Sequence, residues 1–197
     1  MSNVYGHLSD SEIWKEFKSG SEEAFAFLYN QYVVPLYHYG NRLTTDRNMI
    51  EDNIQDLFIE LWRNRATLGE TNSIKFYLYK ALKRRLIKNI INQRKQPFNL
   101  GSLDEYDFEM TLSPEFDLIA QQVSQAQKEN LLAALNSLTS RQKEAITLKF
   151  YDELSYSEIA SLMTMTIKAV YNLIFRAIEV LRANVEKVFL TILALYF

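Results

Sequence analysis

Residues 135–182 read LNSLTSRQKEAITLKFYDELSYSEIASLMTMTIKAVYNLIFRAIEVLR. Thr139 with Gln142 and Ser155 with Glu158 are capping-box pairs, which predict helices near 140–151 and 156–163. After a short break at Met163–Met165, a long helix is predicted from about Thr166. Its apolar positions Ile167, Val170, Ile174, Ala177, Ile178 and Leu181 recur at helical spacing and form the expected buried stripe. Lys168, Asn172 and Arg176 lie opposite at i, i+4 and i+8, beside Ala169 and Phe175. Two helices so spaced make a helix-turn-helix. Asparagine and arginine can read adenine and guanine edges bidentately in a major groove. A helical hairpin with a polar outer face is also commonly plain structure, and periodicity leaves both readings open.

Upstream, a helix is predicted over about 72–95. Leu78, Tyr79, Leu82, Leu86 and Ile90 share one side of it, while Tyr77, Lys80, Arg84 and Lys88 form a row on the other. Cations one turn apart can track phosphates. Phe76, Tyr77 and Tyr79 at the head of the row add rings on which unpaired bases stack, for about 1–3 kcal/mol each. A solvated charged face with core aromatics is the competing account.

The preceding helix, about 46–66, carries Ile50, Ile54, Leu57, Phe58 and Leu61 on its inner side. Asp52, Gln55, Asp56, Ile59 and Arg63 lie opposite, with Trp62 at the margin. Apolar and aromatic anchors among exposed charges suit a docking patch, although single exposed apolar residues are ordinary. Ser9 with Glu12 opens a first helix that ends at Gly20. A second starts after Ser21, with Phe25, Leu28, Tyr29 and Tyr32 on one face, and Pro35 is expected to kink or break it.

Charge divides the chain. Lys75 to Gln96 holds eight basic residues and no acid, whereas Pro97 to Gln127 holds six acids, no base, and two of the three prolines. The second stretch reads as a solvated linker. The fold class that follows is all-α: two small helical domains, 8–96 and 124–190, joined by a flexible acidic linker at 97–123. Four helices precede the linker and four follow it.

The 197 residues include no cysteine, two histidines and five glycines. Disulfides and thiolate chemistry are excluded, no Gly-rich phosphate loop is present, and a reducing cytoplasm is the expected setting. Neither an enzymatic role nor a cofactor, metal or small-molecule substrate is expected. The first residues, MSNVYGHLSD, do not resemble a signal peptide, and no apolar run reaches the ~20 residues that span a bilayer. The apolar tail VFLTILALYF (188–197) is expected to pack within the free protein, as an extension of the last helix.

Taken in order, these segments resemble an extracytoplasmic-function (ECF) sigma factor. GSEEAFAFLYNQYVVPLYHYGNRL (20–43) is similar to that family's opening helices, DNIQDLFIELWRNR (52–65) to its region 2.2, and FYLYKALKRRLI (76–87) to its region 2.3–2.4. Residues 135–163 with 166–182 resemble region 4. The wording is most similar to the ECF sigma factors of Bacteroidetes.

The resemblance implies a protein that binds core RNA polymerase and promoter DNA. It implies polymerase docking through Asp52, Gln55, Asp56, Ile59 and Trp62. Minus-ten recognition and melting would fall to Tyr77, Tyr79, Lys80, Lys83, Arg84, Arg85 and Lys88. Minus-thirty-five recognition would fall to Lys168, Asn172 and Arg176. It further implies a membrane-anchored anti-sigma factor as partner. Four positions depart from the family pattern: Arg84 stands where asparagine is frequent, Thr164 replaces the usual turn glycine, and Tyr171 and Leu173 replace basic residues. A helix-turn-helix regulator that binds duplex DNA without polymerase is the alternative.

Overall fold

The computed structural model describes residues 4–93, 108–109 and 132–196, with the backbone path alone for residue 4 and for 184–196. The regular secondary structure of the described residues is helical, with no strand among them. The chain divides into two compact units, Met1–Tyr106 and Asp107–Phe197.

In the first unit a 3-10 turn, Val4–His7, precedes α1 (Asp10–Ser19). The Ser9 hydroxyl and Glu12 carboxylate cap α1 reciprocally, and Gly20 closes it at φ 99°, a left-handed value that glycine adopts without strain. Ser21 caps α2 (Glu22–Asn41) at once. The expected interruption at Pro35 does not break α2, which is continuous across it. The ring removes one backbone donor, at a cost of about 3 kcal/mol. Burial of Leu28, Tyr32, Leu36 and Tyr39 along the same helix offsets it, and the affected turn carries exposed Gln31 and Val34.

Asp46 caps α3 (Arg47–Asn64) by accepting the Met49 N–H at 3.0 Å. A 3-10 turn, Arg65–Thr67, and a loop lead to α4 (Ile74–Gln93). Helices α2, α3 and α4 pack against one another, and α1 packs on α2. Trp14, Phe17, Leu36, Tyr39, Ile50, Leu78, Leu82 and Leu86 fill the core. Gly40 lets α2 sit close against Ile50 of α3, because a Cβ there would lie 2.7 Å from the Ile50 side chain. A side-chain amide pair links α3 and α4: Asn89 Nδ2 donates to Asn53 Oδ1 at 3.0 Å, while within α3 Asn53 Nδ2 donates to the Met49 carbonyl at 2.7 Å. Both partners of each bond are satisfied, so these half-buried and buried amides are tolerated.

In the second unit a helical segment at 132–136 precedes α5 (Ser140–Ile146), which continues as a π-helical turn, Thr147–Tyr151. Then come α6 (Tyr156–Leu162) and α7 (Ile167–Tyr196). The capping boxes read from Thr139/Gln142 and Ser155/Glu158 are both formed. Leu135, Leu138 and Ala177 form a core cluster with Ile146, Val180 and Leu181 packed on it. Phe108 is buried, although it lies in the acidic stretch read as solvated throughout; the rest of 97–123, apart from Glu109, lies outside the described residues. The α7 backbone stays helical through the tail to Tyr196, while what covers the tail side chains lies outside the described residues.

Candidate nucleic-acid interface

Along α4 the described structure separates the seven minus-ten candidates into exposed, half-buried and buried residues. Lys80, Arg84 and Lys88 are exposed at i, i+4 and i+8, forming a cationic ridge one turn apart. Phe76 flanks the ridge, with the Lys80 ammonium 5.4 Å from its ring centroid. Arg85 is partly covered and forms an ion pair with Glu60 of α3.

Tyr79 is not part of that surface. It is 1% exposed, with its ring 4.8 Å from that of Tyr39, so it cannot serve as a stacking platform. Lys83 is also buried, at 6% exposure. Tyr79, Lys83 and Ile87 form an inward i, i+4, i+8 row, and that register overrides the polarity of the lysine. Tyr77 is half-buried against Trp14, ring centroids 5.0 Å apart, and burial raises its phenol pKa. Ile90 lies at the margin of the stripe, whereas Ile87 and Ile91 are buried.

On α3, Asp52, Gln55, Asp56 and Ile59 are exposed, and Ile59 reaches 39% exposure as an isolated apolar side chain. Trp62 is half-buried. It packs on Phe25 at 4.9 Å and on Phe17 at 6.3 Å, with the Arg65 guanidinium 4.2 Å above its ring. Its role outside the core is therefore only partial. Tyr29, which shares a face of α2 with Leu28 and Tyr32, is exposed, though its ring meets Phe58 edge-on.

Between α3 and α4 lies an open cleft of about 800 Å³, lined by Asp56 and Glu60 on one side and Arg84, Arg85 and Lys88 on the other. The docking patch and the cationic ridge thus border one depression.

In the second unit, α6 and α7 are joined by a tight turn. The Met165 N–H donates to the Ala160 carbonyl at 2.8 Å, and Thr164 takes φ 54°. This is the left-handed position that closes a helix, and glycine is its usual occupant. Lys168, Asn172 and Arg176 are exposed on α7, as are Tyr171 and Phe175. Val170, Ile174 and Ala177 are buried, but Ile167 and Ile178 are 48% and 39% exposed. The stripe is narrower than the sequence suggested, because α5 and α6 cover only the central arc of α7. Tyr171 stacks on Tyr156 of α6, centroids 3.8 Å apart, and Lys149 lies 4.8 Å from the Tyr156 ring.

Two functional features escaped the sequence reading. The Phe76–Lys80 contact had a local signal in its i, i+4 spacing. The Glu60–Arg85 pair had none, since its members stand 25 residues apart on different helices. Among the described residues no cluster of His, Cys, Asp and Glu could hold a metal ion. No described helix is long and apolar enough to cross a membrane.

Comparison with known proteins finds a family match in each unit. The family pattern of sigma-70 region 2 matches residues 28–96, and that of sigma-70, region 4 matches 128–181. Together they span more than half of the chain. An ECF RNA polymerase sigma factor, SigK of Mycolicibacterium vanbaalenii, is 26% identical over 163 residues, 81% of each chain. The chain belongs to the ECF RNA polymerase sigma factors. Another member of this family, the sigma-E factor of Haemophilus influenzae, is 25% identical over 187 residues, covering 91% of this chain and 96% of that one. SigX of Bacillus subtilis is 26% identical over 84% of this chain and 85% of its own length. The solved structure of CnrH in complex with the cytosolic domain of CnrY shares the fold, with a TM-score of 0.55 and 18% identity over 90% of this chain and 97% of that one. RpoE of Bartonella quintana, solved with the anti-sigma factor NepR, gives a TM-score of 0.56 and 20% identity over 83% and 98%. In this sigma factor the α3 patch and the α4 ridge fall within the region 2 match, and the exposed face of α7 within the region 4 match.

Proposed function

We propose that this sigma factor binds core RNA polymerase and directs it to promoters, contributing recognition and no catalytic chemistry. The observation that carries the reading is the pairing, in one chain, of an exposed cationic ridge on α4 with an exposed Lys168–Asn172–Arg176 face on α7. One surface suits phosphates of an opened strand and the other suits base edges in duplex DNA.

In this reading residues 8–96 act as region 2, 97–123 as linker, 124–190 as region 4, and 188–197 as an apolar tail. Asp52, Gln55, Asp56 and Ile59 dock on polymerase, with Trp62 setting the patch margin from its partly buried position. Lys80, Arg84 and Lys88 follow the minus-ten strand, Arg85 joins them when free of Glu60, and the half-buried Tyr77 contributes one edge. Asn172 and Arg176 read the minus-thirty-five element and Lys168 holds a phosphate. The protein works in the cytoplasm, its partner there includes a membrane-anchored anti-sigma factor, and its wording places it beside the ECF factors of Bacteroidetes. The structural relatives solved with partner proteins support the anti-sigma assignment.

Run-off transcription with purified core enzyme tests the proposal. A promoter-dependent transcript that requires the chain supports it. Specific duplex binding without core enzyme, and no transcript with it, would instead assign a polymerase-independent regulator.

A further inference from the structure

The ion pair between Glu60 and Arg85 joins the two surfaces of the region 2 unit. Glu60 follows Ile59 and stands one turn beyond Asp56, so it sits at the edge of the docking patch. Arg85 neighbours Arg84 and lines the same cleft as Arg84 and Lys88. The Glu60 side chain is 57% exposed and that of Arg85 24%, so the acid is open to a competing cation while the guanidinium is partly covered. Helix α3 carries Glu51, Asp52, Asp56 and Glu60 against Arg47 and Arg63, an excess of acid that would attract a cationic partner surface. A guanidinium held by a carboxylate is one phosphate contact withheld. The hold is weak, as surface ion pairs are, and a docking partner can break it.

We propose that Glu60 is a positioning residue that withholds Arg85 from single-stranded DNA in the free protein, and that polymerase docking on α3 releases it. The proposal rests on the reading of α3 and α4 given above and adds its regulation. Docking and strand binding become coupled through one side chain, and by linkage strand binding strengthens docking by the same factor.

The experiment is fluorescence anisotropy of a labelled single-stranded oligothymidine, titrated with the full chain, free and bound to core enzyme. The variants are E60Q, R85A, E60Q with R85A, and R84A with K88A. Free E60Q should bind about two- to five-fold more tightly than wild type. Its log–log salt dependence should steepen by about 0.7, one added phosphate contact. The gain should vanish in the R85A background, and core-bound E60Q should match core-bound wild type. A free E60Q protein that binds like wild type overturns the proposal. So does an equal gain in the R85A background, which would reflect only the lost negative charge. If R84A with K88A weakens binding while E60Q changes nothing, the cationic ridge stands and the latch falls. If R84A with K88A also leaves binding unchanged, the underlying reading of α4 falls first.

Discussion

The carboxylate of Asp10 accepts the backbone N–H of Ile74 at 2.7 Å, so a side chain at the start of α1 caps the start of α4, 64 residues later. The bond satisfies a donor that a helix terminus leaves open, and the charge suits the positive end of the helix dipole. It also holds the head of the helix that carries the cationic ridge. Asp10→Ala should destabilise the region 2 unit by about 1 kcal/mol. In a domain of roughly 100 residues this lowers the melting midpoint by about 4–8 °C, measurable by circular dichroism.

Ile59 and Trp62 should respond differently to substitution. Ile59→Asp should reduce affinity for core enzyme in a pull-down while leaving helicity and melting unchanged, because its side chain is exposed. Trp62→Ala should destabilise by about 2 kcal/mol, below the range for fully buried tryptophans, since its ring packs on Phe17 and Phe25. Equal melting of Trp62→Ala and wild type would contradict that packing.

Tyr79 and the Arg84–Lys88 ridge separate stability from recognition. Tyr79→Ala should cost about 3–4 kcal/mol by opening a cavity beside Tyr39. Arg84→Ala with Lys88→Ala should leave the melting transition in place and reduce promoter opening, read by permanganate reactivity of the melted bases. A Tyr79→Ala protein that stays fully stable and loses only DNA binding would reverse this assignment.

Thr164→Gly should stabilise the helix-turn-helix. A β-branched residue at φ 54° carries about 1–2 kcal/mol of left-handed strain, and glycine's added unfolded-state entropy returns about 0.5–1 kcal/mol of that. A net gain of several tenths of a kcal/mol or more is expected in thermal unfolding. Thr164→Asn, which tolerates the same conformation, should fall between the two proteins.

The cap of α1 predicts a pH dependence. Hydrogen bonds from the Ser9 hydroxyl and backbone hold the Glu12 carboxyl below its ordinary value of 4.5. A depressed folded value means that the contribution is complete above the ordinary carboxylate range and is lost as pH falls through the folded value. NMR titration of Glu12 should show the low value in wild type. Ser9→Ala should return it part of the way, because the Ser9 backbone N–H still donates at 2.8 Å.

The sequence by itself determined whatever depends on neighbours along the chain. The three capping boxes at Ser9, Thr139 and Ser155 formed as read, because their partners stand three residues apart and need only a helix start. The exposed row Lys80, Arg84 and Lys88, the face Lys168, Asn172 and Arg176, and the buried positions of α3 follow from a period of 3.6 residues. Tertiary structure decided what depends on which arc of a helix a neighbour covers. Lys83 went inside, beside Tyr79 whose spacing already put it on the apolar side, because α2 and α3 both pack on α4, a wider burial than one stripe. Ile167 and Ile178 stayed outside because α5 and α6 cover less of α7 than its apolar stripe offers. Pro35 remained in a helix because burial along α2 outweighs one missing hydrogen bond. The Asp10–Ile74 and Glu60–Arg85 contacts have no signature in the chain, since periodicity encodes the face of a helix and not the helix it will meet.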